Sequence, residues 1–291
     1  MDWTTILQGL TPKVTDPSIL ANHAKPPSGE TKELEVWVPR VEDIRHPPVY
    51  VYQSGLTMYQ ILMMNHPPTW KPFFTRAEPE IRHACQMIAA SSVGKSVFPL
   101  TQDLLSAFWL TPLFMLKAVI IGQDPYPGLQ RDGRPKAIGI SFATDRTYGE
   151  IPDSLKTVYR ELEASVEGWT HPGHADLRCW ARQGVLMYNT ALTVEAHNAG
   201  SHTGFWKPFT EKLMEFLNEN AKDCVFMLWG KHAQAAAQSI YTSRHFKLTA
   251  YHPSPRNDAR DGFSFIGCNH FNLANIQLVE KGIHPIDWRV V

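Results

Sequence analysis

Four short apolar runs, Ala118–Ile121, Val185–Tyr188, Cys224–Trp229 and Lys247–Ala250, limit what this chain can fold into more than any other feature. Each is rich in β-branched or large apolar residues and stops abruptly, the pattern of a strand buried on both faces. Between and after them the spacing changes. Leu155, Val158, Tyr159 and Leu162, and then Phe209, Leu213, Phe216 and Leu217, recur at helical intervals. Lys231–Tyr241 and Phe271–Lys281 also favour helix. Strand, helix, strand, helix predicts an α/β fold around a mainly parallel four-stranded sheet. Such sheets bind ligands outside the carboxyl ends of their strands, so chemistry belongs just after each run.

Composition removes several classes of function. The chain has 291 residues, 43% apolar and 19% charged, which suits a folded core and excludes a disordered or collagen-like chain. No apolar run approaches the roughly 20 residues needed to cross a bilayer. The first twenty residues lack the basic and apolar regions of a secretory signal, so an intracellular, soluble protein is expected. Cys85, Cys179, Cys224 and Cys268 form no CxxC pair, which fits reduced thiols rather than a disulfide framework or a zinc ribbon. With 28 Lys+Arg against 28 Asp+Glu the net charge is zero. That argues against nucleic-acid binding by overall basicity and leaves a local basic face open. Residues 1–50 read as a partly irregular extension, broken by Pro26-Pro27, Ser28-Gly29 and Pro47-Pro48, with a short helix expected near Trp3–Leu10. This extension is acidic, with 7 Asp/Glu against 5 Lys/Arg.

The strand ends carry a distinctive set of groups. After the first run comes Gly122-Gln123-Asp124-Pro125-Tyr126-Pro127-Gly128, a carboxylate on a loop that prolines stiffen and glycines open to a ligand. Asn189 follows the second run and offers one donor and one acceptor to a matching amide edge. Gly230-Lys231-His232 follows the third and His252-Pro253-Ser254-Pro255 the fourth. A carboxylate, an amide and an imidazole at one sheet edge point to bond cleavage on a heterocycle. Each alone has a plainer reading, since Asp-Pro and His-Pro form turns and a strand-end Asn is often a cap.

Together with SFAT at 141–144, HPGHADLRCWARQGVLMYNTALTV at 171–194 and LWGKHAQ at 228–234, these motifs resemble the family 1 uracil-DNA glycosylases in order and spacing. The likeness spans about residues 98–288, with a fainter match at Trp70–Phe74. It implies a three-layer fold, a single catalytic domain over 51–291, and hydrolysis of the bond between uracil and deoxyribose without metal or cofactor. A catalytically weak DNA-binding replication accessory factor of the same fold is the alternative. By resemblance, Asp124 orients or deprotonates the attacking water and His252, neutral, donates to uracil O2. Phe142 stacks on the base, Asn189 pairs with N3–H and O4, Tyr126 blocks a methyl at C5, and the Gln123 backbone holds O2. Ser154, Ser254, Lys231 and Arg256 are expected to contact DNA. The implied partners are uracil-containing DNA, single- or double-stranded, an inhibitor protein, and a replication or repair factor bound through residues 1–50. The implied state is a monomer, in the nucleus of a eukaryote or nuclear-replicating virus and otherwise in the cytoplasm.

Four departures from the family pattern stand out. Arg256 occupies the place of the usual Leu wedge after HPSP, Lys231 that of a Ser, and Pro127 that of a frequent His. The segment Leu129–Ile138 is longer than the family's usual link from the Asp124 loop to the expected strand of Phe142, and it holds Arg131, Arg134 and Lys136, which reads equally as a solvated loop or an added DNA contact. Gly94-Lys95-Ser96 lacks the first glycine of a phosphate-binding loop, with Ala89 in its place and a helical stretch before it. His171, His174, Asp176 and Cys179 have spacings that suit a metal, but the resemblance assigns that segment to structure around the pocket. The Pro-Cys-x-x-Cys signature of zinc deaminases is absent.

Overall fold

The computed structural model describes residues 55–255 and 264–291. Residues 1–50, including the helix expected near Trp3–Leu10, and Arg256 lie outside them. In chain order the helices are α1 (Met58–Met64), α2 (Lys71–Arg76), α3 (Glu78–Ser91), α4 (Ser106–Leu110), α5 (Asp153–Ser165), α6 (Arg178–Ala181), α7 (Thr203–Asn220), α8 (Lys231–Ala236) and α9 (His270–Glu280). The strands are β1 (Val97–Phe98), β2 (Ala118–Gly122), β3 (Val185–Asn189), β4 (Val194–Glu195), β5 (Val225–Trp229) and β6 (Phe246–Ala250).

The four predicted runs become the central sheet, in the order β3-β2-β5-β6 and parallel throughout. Alternation along each strand decides which side chain serves which face. Val119, Ile121, Leu186, Tyr188, Phe226 and Leu228 enter one core with α3 and α7. Ala118, Ile120, Val185, Met187, Val225 and Met227 enter the other with α5, α9 and Trp288 near the carboxyl end. Every residue of β2, β3 and β5 is buried, and each large apolar side chain there contributes about 1.5–3 kcal/mol relative to exposure. Trp70, Phe73, Phe74 and Phe108 pack as an aromatic block under the first face, with edge-to-face rings 5.1 Å apart for Trp70 and Phe108.

Three local expectations need correction. β6 is not buried on both faces: it is one of the two edge strands and, unlike the fully buried β3 at the other edge, it carries Lys247 and exposed Thr249. The helix expected to reach Tyr241 stops at Ala236. Beyond it the Asn218 side chain donates to the Ser239 carbonyl (2.9 Å) and accepts from Tyr241 N–H (2.9 Å), drawing those groups out of a helical ladder. Phe142 stands on a turn rather than a strand, with φ of 62°.

A buried carboxylate holds the segment that leads into α9. Glu161, on α5, accepts from Gly267 N–H (2.5 Å) and Asn269 N–H (2.8 Å). Among these residues Phe265 seats against Trp229, with ring centres 5.0 Å apart, so the second core continues into the wall of the strand-end site.

Candidate active site

In the Gly122↔Asn189 register of β2 and β3, the last residue of one strand lies beside the amide that ends the other. A Cβ on Gly122 would stand 2.2 Å from Asn189 Oδ1 and 2.9 Å from Ser141 Cβ. The next pair of strands repeats the device. Gly230, at φ of 89°, follows β5, and a Cβ there would stand 2.7 Å from His252 Cβ, just past β6. Glycine at each strand end thus makes room for the functional side chain of its neighbour. Gly122→Ala is therefore expected to displace Asn189 and lower kcat/KM on the substrate that the resemblance implies, a uracil oligonucleotide, by about 10²-fold, at a stability cost of about 1–3 kcal/mol. Steady-state kinetics and a urea midpoint read the two effects, and wild-type kinetics in this variant would refute the steric argument.

Gln123, Asp124, Tyr126, Phe142, Ser154, Asn189 and His252 line one cavity of about 260 Å³, together with Gly122, Pro125, Pro127, Ala137, Gly139 and Ile140. Seven of the residues expected at the site therefore meet at the carboxyl ends of the strands. Lys231 is exposed at the start of α8 and Ser254 lies half-buried two residues past His252, and neither lines this cavity.

Asp124 is held by its side chain, whose Oδ2 accepts from Gly200 N–H at 2.5 Å. Burial pushes its carboxyl above the ordinary range, and the Gly200 amide and nearby His232 pull the other way. Burial lowers the His252 imidazole, with His232 adding to the effect, so the neutral form is favoured. Asn189 is buried, and its side chain makes no hydrogen bond within the described residues, which leaves the amide for a ligand.

Phe142 presents its ring from a left-handed backbone conformation that a bulky residue rarely adopts. Its surroundings enforce it. Tyr126 Oη donates to the Phe142 carbonyl (3.0 Å), and Ser141 N–H donates to the Met187 carbonyl (3.1 Å). The Trp229 indole meets the Phe142 ring edge-on at 5.3 Å, and its Nε1–H donates to His270 Nδ1 at 3.1 Å. The His252 ring lies 6.1 Å from that of Phe142 at a tilt of 36°. Tyr126 thus shapes the cavity and also clamps the aromatic platform.

The long segment 129–138 splits between its two readings. Its base supplies Ala137 to the cavity wall, and the outer part closes on itself through a Leu129–Pro135 bridge. Its cations are already engaged, Arg131 with Glu150 (3.2 Å), Arg134 with Asp132 (2.7 Å) and Lys136 over the Tyr148 ring (4.8 Å). These contacts brace the loop against residues 145–150, while the Arg131 and Arg134 side chains stay solvent-exposed, so a structural role and a DNA contact are compatible. Sequence reasoning missed Gly200, Thr190 and His232, which touch the site groups only through the fold.

A family model described as the uracil DNA glycosylase superfamily matches residues 108–279. Uracil-DNA glycosylase of Yersinia enterocolitica is 43% identical over 216 residues, covering 74% of this chain and 91% of that protein. Uracil-DNA glycosylase of Escherichia fergusonii is also 43% identical, over 218 residues, with the same shares. Among solved structures, mimivirus uracil-DNA glycosylase superposes with a TM-score of 0.72 at 29% identity, covering 77% of this chain and 87% of that one. The strand order, the lined cavity and these matches coincide over the same stretch, and the chain belongs to the uracil DNA glycosylase superfamily.

Proposed function

We propose that this protein is a monofunctional uracil-DNA glycosylase that takes uracil out of the DNA stack and hydrolyses its N-glycosidic bond. The observation that carries the reading is the convergence of Asp124, Tyr126, Phe142, Asn189 and His252 on one cavity, whose lining thus combines a carboxylate, an amide and an imidazole with aromatic rings. Extruding the nucleotide costs a few kcal/mol, which contacts in the pocket offset. The N1–C1′ bond then breaks with its electron pair leaving on uracil, and water oxygen adds to C1′ as its proton passes to the Asp124 carboxylate. Asp124, ionised, opposes the positive charge developing on the sugar and orients the water. His252, neutral, donates to uracil O2 as negative charge gathers on the base. Asn189 pairs with N3–H and O4, Phe142 stacks on the ring, Tyr126 excludes a C5 methyl and the Gln123 backbone approaches O2. Ser154 reaches the cavity from the first turn of α5 and serves a DNA phosphate, as do Ser254 and Lys231 outside the cavity lining; Arg256, beyond the described residues, is assigned the same role from the sequence alone.

Residues 51–291 act in this reading as one catalytic unit, with 1–50 appended as a segment for a replication or repair partner. A variant of the mimivirus relative has been solved in complex with UGI, and an inhibitor of that kind is a proposed partner of this chain. No helix among the described residues is long and apolar enough to cross a membrane.

The deciding experiment incubates the protein with an oligonucleotide bearing a single uracil and looks for alkali-labile abasic sites. Strand scission at the uracil, and none at a thymine in the same place, is the expected result. Intact DNA, under conditions where the folded protein binds it, would sink the reading in favour of the binding-only alternative.

A further inference from the structure

A hydrogen-bonded chain ties three of the four strand ends together. Thr190, directly after β3, donates its hydroxyl proton to the Gln123 carbonyl at 2.9 Å. That proton is the only one the hydroxyl has, so at its 2.7 Å contact with His232 Nε2 the oxygen accepts and the imidazole donates. The Gln123 carbonyl also accepts from Ala191 N–H at 2.9 Å, which occupies its second lone pair. That carbonyl belongs to the peptide joining Gln123 to Asp124, whose orientation sets where the Asp124 side chain begins. His232, in the first turn of α8, is solvent-exposed as a residue, with Nε2 turned inward to Thr190.

We propose that His232 is a positioning residue for the glycosylase reaction, acting through the Thr190 hydroxyl on the Gln123–Asp124 peptide. This rests on the reading of Asp124 as the group that acts on water and sugar. The imidazole N–H fixes the hydroxyl rotor so that its proton points at the carbonyl, and the carbonyl in turn holds the loop that carries Asp124. Gly200 N–H fixes the far end of the same residue. Asp124 is thereby pinned at backbone and carboxylate, which a group aimed at a transition state requires.

The test compares His232→Phe, which keeps the ring and removes the donor, with His232→Gln, whose amide can replace Nε2–H, and with Thr190→Val. His232→Phe and Thr190→Val should each lower kcat about five- to tenfold, the size of one lost hydrogen bond, with KM for uracil-containing DNA changed less than twofold. The double variant should fall no lower than the weaker single variant within twofold, because both break one chain. His232→Gln should recover at least half of wild-type kcat. A raised KM with unchanged kcat would assign His232 to DNA contact and overturn the proposal, as would multiplicative losses or an inactive His232→Gln that melts like wild type. If His232→Phe fails to fold, Thr190→Val against Thr190→Ser, which keeps the hydroxyl, decides the same question. Asp124→Asn run in parallel separates the two claims: if it keeps its turnover, the role of Asp124 fails, and if it alone loses turnover, only the role of His232 fails.

Discussion

Asp124→Asn is expected to lower the single-turnover rate of uracil release on the order of 10³-fold while leaving affinity for uracil-containing DNA within a few-fold of wild type. The substitution is a clean one. The amide oxygen can still accept from Gly200 N–H, so the side chain keeps its anchor and its volume. Only the negative charge and the ability to take a proton are lost. Both matter chiefly in the transition state, when positive charge has grown on the sugar, so the loss belongs in kcat rather than in binding. A rapid-quench assay with a single-uracil oligonucleotide, paired with anisotropy binding, separates the two quantities. A rate within tenfold of wild type would remove Asp124 from the chemistry.

The pH profile supplies an independent check of the same residue. Burial raises the Asp124 carboxyl above the ordinary carboxylate range, against the pull of the Gly200 amide and His232. A raised value means the ionised form is lost earlier as pH falls, so the acid limb of wild-type kcat should lie above the position of an ordinary aspartate. His252 is shifted downward by burial, with His232 adding to the effect, which favours the neutral imidazole that the proposed reading needs as a donor to uracil O2. In Asp124→Asn the residual rate should be flat where the wild-type acid limb falls.

The parts of this molecule that were legible in the chain are those encoded by local pattern. Runs such as Ala118–Ile121 and Val185–Tyr188 announce doubly covered strands because every residue is buried, and the structure extends each by one residue to the functional strand end. β6 was legible as a strand but not as an edge, since strand order is a property of the whole sheet. Asn189 and His252 could be placed at strand ends from local pattern, and the combined motifs singled them out. Their neighbours Gly122 and Gly230 could not be given their reason, which is a close approach between strands far apart in sequence. The same holds for Gly200 and the Thr190–His232 chain, whose partners lie 76 and 42 residues away. The left-handed Phe142 was illegible for a different cause. Nothing in SFAT favours a positive φ, and the conformation persists because Tyr126 and the strands around it leave the chain no alternative.

Asn189→Asp is expected to admit cytosine while retaining part of the activity on uracil. Uracil presents N3–H and O4 where cytosine presents a bare N3 and an amino group, so the two edges ask for opposite patterns. In asparagine the donor and acceptor ends are fixed by covalent structure, and a buried mismatch at both contacts costs about 1–3 kcal/mol apiece. Sites built this way reject the wrong partner by about 10⁴–10⁵. A carboxyl group has no such fixed ends. Position 189 is buried, at 8% exposure, which favours the protonated acid over the carboxylate. The acid offers O–H to cytosine N3 and C=O to its amino group, and moving the proton to the other oxygen restores the pattern for uracil. Cleavage of a single-cytosine oligonucleotide should therefore rise at least about tenfold above the wild-type background and strengthen as pH falls, because the protonated acid is the form that reads cytosine. Thymine should remain uncut, since Tyr126, which lines the cavity, is in the proposed reading the group that excludes a C5 methyl. The informative failure is a variant that still releases uracil yet leaves cytosine intact at every pH. That outcome would mean Asn189 does not face the Watson–Crick edge, and the base would have to be read from another wall of the same cavity.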